Sequence, residues 1–119
     1  MRIAFSSKGT TQDSRLDPRF GRAKYFRIYD NEKETWSTID NVQNLQASQG
    51  AGIQAASIIS SNKCQAVVTG HCGPKAFKAL SAGDISVYLC DSCTVTQALE
   101  MFKNSNLEKI DNPDVQGHW

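Results

Sequence analysis

Residues 66–103 pass twice through one pattern, a short apolar run followed by a turn and then an amphipathic stretch. Ala66-Val67-Val68-Thr69 is continuously apolar, as a strand buried on both faces would be. Pro74 stands where a helix would have its first residue, and Gly83 stands just past its end. Ile85–Cys90 is a second buried run. Thr94 with Gln97 three residues on reads as a capping box, and Val95, Ala98, Leu99 and Phe102 then share one helical face. Successive strand–helix units require parallel pairing through right-handed crossovers, so this half of the chain predicts an α/β domain.

The N-terminal half reads differently. Arg2–Ser6 carries apolar side chains at alternate positions, Ile3 and Phe5, and predicts a first strand. Residues 9–24 have no periodicity and contain Asp17-Pro18 and Gly21, which predicts a long loop of the functional or mobile kind. Tyr25–Tyr29 and Thr35–Ile39 alternate on either side of a polar tetrapeptide and predict a hairpin. From about Gln49 the period becomes helical, with Ala51, Ala55, Ile58 and Ile59 on one face. Gly50, Gly52 and Ala56 would let that helix sit close to a sheet. The prediction is one mixed five-stranded sheet flanked by helices, a single domain over residues 1–103. A polar tail, 104–119, follows.

A chain of 119 residues is long enough for one core without disulfide staples. Its net charge of +1 gives no global reason to expect a nucleic-acid partner. The charge is uneven, however. Lys8, Arg15, Arg19, Arg22 and Lys24 face only Asp13 and Asp17 in residues 8–24, five cations against two carboxylates. The N-terminus reads as a strand and not as a signal segment, and no apolar run approaches the roughly 20 residues of a membrane span. A cytoplasmic protein is expected, with Cys64, Cys72, Cys90 and Cys93 reduced and more suited to metal or redox chemistry than to disulfides.

Ligands of open α/β sheets bind beyond the carboxyl ends of the parallel strands. If strands one, four and five are neighbours, the segments 7–22, 70–74 and 91–94 meet on one rim. That rim would hold Lys8, the arginines, His71, Cys72, Lys75, Cys90 and Cys93. Two helix N-termini would point there, at Gly73-Pro74 and at Thr94, each with unpaired N–H groups and about half a positive charge. Arginine adds planar donors suited to phosphate, carboxylate or sulfido groups. Such a rim favours an anion, and a thiol at a helix start is a plausible soft-metal ligand.

Plainer readings stand beside this one. Cys64 precedes a core strand and reads as a small buried hydrophobe. Cys90-x-x-Cys93 is half of a zinc pattern, completed only if His71 and Cys72 join it, and it also resembles a thiol-redox pair. His71 could be a surface histidine, and Gly70, Gly73 and Pro74 could be turn chemistry alone.

Three segments together resemble the dinitrogenase iron–molybdenum cofactor biosynthesis family. They are Asp17-Pro18-Arg19-Phe20-Gly21-Arg22-Ala23 with Tyr25-Phe26, Gly50-Ala51-Gly52-Ile53-Gln54-Ala55-Ala56, and Thr69-Gly70-His71-Cys72-Gly73-Pro74-Lys75-Ala76-Phe77. The family includes NifX-like carriers, the carboxyl-terminal domain of NifB and the orange protein of sulfate reducers. The resemblance implies a ribonuclease H-like fold with a mixed five-stranded sheet. It also implies non-covalent binding of an anionic molybdenum- or iron–sulfur cluster, or a precursor, by a carrier that hands it to an acceptor protein. A molybdenum–copper sulfide cluster is the orange protein's cargo. Carried over motif by motif, the binding residues would be Arg19, Phe20, Gly21 and Arg22, with Gly70, His71, Cys72, Gly73, Pro74 and Lys75. Cys90 and Cys93 lie outside the family pattern and are candidates for an additional metal site.

The ribonuclease H-like fold raises a nuclease reading. That chemistry needs carboxylates clustered on strand ends to hold two metal ions. Ile3–Ser6 and Ala66–Thr69 contain none. The expectation is therefore a non-enzymatic carrier, acting as a monomer or weak dimer with no membrane partner. The loop 8–22 would close over the cluster. A zinc or thiol-redox protein using Cys72, Cys90 and Cys93 is one alternative, and a metal-free adaptor domain is another.

Overall fold

Ile3 through Ser7 are all buried, because their strand has a neighbour on each side and a packed layer on each face. That strand is β1 (Arg2–Ser7) in a computed structural model that describes residues 1–42 and 50–113. It is followed by β2 (Tyr25–Asp30), β3 (Thr35–Asp40), α1 (Ala51–Ser61), β4 (Ala66–Thr69), α2 (Pro74–Ala82), β5 (Ser86–Leu89), α3 (Val95–Lys103) and β6 (Glu108–Ile110). The sheet order is β3-β2-β1-β4-β5-β6. β1, β4 and β5 run parallel, while the β1–β2, β2–β3 and β5–β6 pairs are antiparallel.

The mixed α/β architecture and the hairpin are as predicted. The sheet has six strands, however, not five. The sixth, β6, comes from the segment read as a polar tail and pairs antiparallel with β5. A three-residue edge strand with Ile110 as its only apolar member has too little alternation to register as a strand. Residues 114–119 of the expected tail lie outside the described residues, as does Gln49, where the helical period was placed. The helix itself starts at Ala51, after Gly50 in the left-handed region at φ 78°.

Alternation along the strands divides the core in two. Ala4, Phe26, Ile28, Val67 and Val87 face α1 and α2, meeting Ala55, Ala56, Ile59, Ala76 and Leu80. Ile3, Phe5, Tyr29, Ala66 and Val68 face the other way and meet Val95, Ala98 and Leu99 of α3. Trp36 caps this second layer, with its ring centroid 4.9 Å from Tyr29 and 5.6 Å from Phe5. The predicted capping box at α3 is present. Thr94 Oγ1 accepts from the Gln97 N–H at 3.1 Å, and Gln97 Oε1 accepts from the Thr94 N–H at 2.9 Å.

Because β1, β4 and β5 are adjacent and parallel, their carboxyl ends fall on one edge. The three following segments therefore meet there.

Candidate functional site: a cationic cleft at the carboxyl edge of the sheet

The loop after β1 is not free. The Leu16 N–H donates to the Cys93 carbonyl at 2.9 Å, and the Val95 N–H donates to the Ser14 carbonyl at 2.9 Å. Thr96 Oγ1 donates to the Gln12 carbonyl at 2.8 Å. Isolated β-bridges join Arg15 to Thr94 and Arg19 to His71. A mobile lid was one expectation for residues 8–22. Instead, backbone bonds tie this segment to both neighbouring turns, which sequence periodicity has no means of signalling.

Its second half is fixed from below. The Ser6 hydroxyl donates to the Asp17 carbonyl at 2.7 Å and sits 2.8 Å from Thr69 Oγ1, while the Asp17 N–H donates to the Ser6 carbonyl at 2.8 Å. Asp17 Oδ1 accepts the Arg19 N–H at 3.0 Å, a side-chain turn of the kind aspartate favours. The Phe20 N–H donates to the His71 carbonyl at 3.3 Å. Phe20 itself is wholly buried, with its ring centroid 5.3 Å from that of Phe26. Gly21 passes over α1 so closely that an added Cβ would lie 2.9 Å from the Gly52 Cα. Asn41 ends the frame, donating from its backbone to the Lys24 carbonyl and from Nδ2 to the Ala23 carbonyl, each at 2.8 Å.

This framework surrounds an open cleft of about 580 Å³, lined by Lys8, Asp17, Arg19, Arg22 and Lys24. Among the described residues four cations face one carboxylate there, an excess of three positive charges. The β-bridge from Arg19 to His71 sets the cleft beside the turn that leads into α2. That helix has Gly73 as its N-cap with no side-chain acceptor, and no acid in its first turn. Its amino end therefore adds positive potential.

The expected binding residues sort by position. Lys8, Arg19 and Arg22 line the cleft. Pro74 and Lys75 are exposed at the start of α2 but are not among its lining residues, and His71 is half-buried next to Arg19. Phe20, Gly21, Gly70 and Gly73 shape the backbone and do not line the cleft. Cys72 points inward: it is fully buried in the layer under α1 and α2, with Sγ 3.8 Å from the Gly73 carbonyl. Lys24 and Asp17 line the cleft without having been singled out. Both were present in the charge count over residues 8–24, and only the fold shows which members of that count converge.

The cysteines depart from expectation. Cys90 and Cys93 are joined as a disulfide, closed by a turn in which Ser92 has a φ of 51°. They belong to the α3 layer, whereas Cys72 belongs to the opposite one. The fourfold zinc set of His71, Cys72, Cys90 and Cys93 is therefore not assembled, since the sheet stands between its halves. Among the described residues no three His, Cys, Asp or Glu side chains come together to hold a metal ion. Cys64 is buried as expected, and desolvation pushes its thiol up to about 11. Arg27 lies outside the cleft on β2, stacked 5.0 Å over Trp36 and donating to Thr38 Oγ1 at 2.7 Å, and burial lowers its pKa.

Fold and site define a small α/β domain with a cation-lined cleft beyond its parallel strands. The chain belongs to the dinitrogenase iron-molybdenum cofactor family, which it matches over residues 1–105. The apo form of the orange protein from Desulfovibrio gigas is similar throughout, with a TM-score of 0.93 and 36% identity over 96% of each chain. A NifB-related protein from Thermotoga is similar with a TM-score of 0.86 and 28% identity over 98% of each chain. An uncharacterized protein of Methanocaldococcus jannaschii is 27% identical over 101 residues, 83% of this chain and 86% of that one. No helix among the described residues is long and apolar enough to cross a membrane.

Proposed function

We propose that the protein is a non-enzymatic carrier that holds an anionic metal–sulfur cluster in the cleft of Lys8, Arg19, Arg22 and Lys24. The cargo class is a molybdenum- or iron-containing sulfide cluster, the molybdenum–copper sulfide type included, or a precursor of one. The carrying observation is the cleft itself, with four cations around a space of about 580 Å³. Cations on a fixed frame bind an anion without first having to be ordered, so little affinity is lost to immobilising the site. Arginine and lysine donors suit sulfido groups on the cluster surface, and the uncapped start of α2 adds to the same potential.

Cys72 is buried away from the cleft, so the cluster is held through charge and hydrogen bonds and not through a thiolate bond from that residue. Such a complex can form and release without exchanging metal ligands, as delivery to an acceptor protein in cofactor assembly or storage demands. Family membership supports this reading. A cytoplasmic location, a monomeric or weakly dimeric carrier, a single domain that includes β6 and a ribonuclease H-like assignment belong to it.

The test is a visible spectrum with elemental analysis of protein purified without oxygen, before and after adding tetrathiomolybdate with copper or iron. Stoichiometric colour with molybdenum and sulfide supports the carrier. Protein that stays colourless and takes up neither metal removes it, leaving the metal-free adaptor.

A further inference from the structure

We infer that Cys90, Cys93 and Met101 form a soft-metal site for a monovalent cation of the copper(I) class, shut by the disulfide and opened by its reduction. Cys90 follows β5, Cys93 precedes the N-cap of α3, and Met101 stands in the last turns of α3. The two cysteine sulfurs are already in contact, and Met101 Sδ lies 3.9 Å from Cys90 Sγ. Three sulfurs thus converge beside α3, and none of the three residues lines the cleft.

The donor set selects the metal. Thiolate and thioether sulfur are soft donors, which favour copper(I). Structural zinc takes four ligands and hard cations take oxygen, and no third His, Cys, Asp or Glu joins this pair among the described residues. Exposure gives the route in. Cys90 and Cys93 are 5% and 6% exposed, while Met101 is 36% exposed, so the thioether stands at the mouth with the cysteines behind it. The tight turn at Ser92 keeps the two cysteine sulfurs on the same side, so little motion is needed to bind a low-coordinate ion between them.

Opening the site is ordinary thiol–disulfide exchange. An external dithiol attacks one sulfur, the Cys90–Cys93 bond breaks, and the reductant leaves as its own disulfide after supplying two electrons. Binding copper(I) then displaces the two thiol protons, and the metal keeps its oxidation state throughout. The oxidised pair offers no thiolate and binds nothing, so loading follows the thiol redox state of the surroundings.

The test is a copper(I) titration of the full chain under argon, against a colorimetric copper(I) chelator. Protein reduced with a dithiol and freed of it is compared with untreated protein. The reduced protein is expected to take up stoichiometric copper(I), and the oxidised protein none. Cys90→Ser and Cys93→Ser should abolish uptake, while Cys64→Ser should leave it unchanged. Met101→Leu, at an exposed position that tolerates the change, should weaken affinity roughly tenfold, the scale on which supporting partners of a metal site count. Equal binding by oxidised protein overturns the site. Retention in Cys90→Ser does so too, as does an unchanged affinity in Met101→Leu. Should a cysteine variant fail to fold, the Met101→Leu comparison decides alone.

Discussion

Pro18 rests directly on Gly70. A Cβ built on the glycine would lie 2.6 Å from the Pro18 Cα and 2.9 Å from its carbonyl oxygen. Both are backbone atoms, so no side chain can swing away to make room. Gly70→Ala must push the 17–20 turn outward, at a cost of about 1–3 kcal/mol for overpacking. Because Arg19 stands in that turn and Arg22 follows it closely, anion affinity should fall along with the melting temperature. A melt and a binding isotherm on the same preparation check both effects, and full affinity in the variant would detach the turn from the site.

Ser6 tests the frame from below. Its hydroxyl joins the Asp17 carbonyl and the Thr69 hydroxyl, with Ser6 and Thr69 both wholly buried. Ser6→Ala leaves these partners without their hydrogen bond, worth about 1–3 kcal/mol for a buried polar group. A shift in the denaturation midpoint at unchanged slope is the expected result. Ser6→Cys, which keeps a weak donor of similar shape, should recover part of the loss.

Position within the cleft separates its lysines. Lys24 lines it, whereas Lys75 is exposed at the start of α2 outside the lining. Removing a charge-assisted contact costs about 1.5–3 kcal/mol, roughly tenfold or more in affinity. Lys24→Ala should therefore weaken thiomolybdate binding by about that factor, and Lys75→Ala by less. Added salt should weaken the wild type as well, since screening acts over about 8 Å at physiological ionic strength. Equilibrium dialysis at two salt concentrations measures both effects.

Cys64 sets an alkaline limit on stability. Burial raises its thiol from an ordinary value near 9 to about 11, so the folded state holds its proton where the unfolded state has lost it. The contribution is complete below about pH 9 and is lost as pH rises towards about 11. Urea melts across that window should show stability falling with pH. The slope should flatten in Cys64→Ala, whatever the offset from the small cavity.

Much of the fold is legible in the sequence because its elements carry strong local signals. Ala66–Thr69, Pro74 with Gly83, and Thr94 with Gln97 mark strand, helix and cap within a few residues of where they fall. β6 is not legible, since Glu108-Lys109-Ile110 becomes a strand only by pairing with β5. The cleft was half legible. Its cations stand close together in the chain, but their convergence depends on bonds between distant residues, such as Leu16 to Cys93 and Phe20 to His71. Motif resemblance also marks residues without saying which way they face. Phe20 and Cys72 stand in motif segments, yet both are buried in the core and neither lines the cleft.

The most direct test of the carrier reading compares wild type with Arg19→Ala/Arg22→Ala in an anaerobic titration with tetrathiomolybdate and copper, read by visible absorbance and by molybdenum retained after desalting. Both side chains line the cleft, and neither is in the buried core. The double variant should melt near the wild-type temperature. Stoichiometric molybdenum on the wild type and little or none on the folded double variant is the predicted result. Equal retention by both proteins would contradict the assignment of the cluster to this cleft.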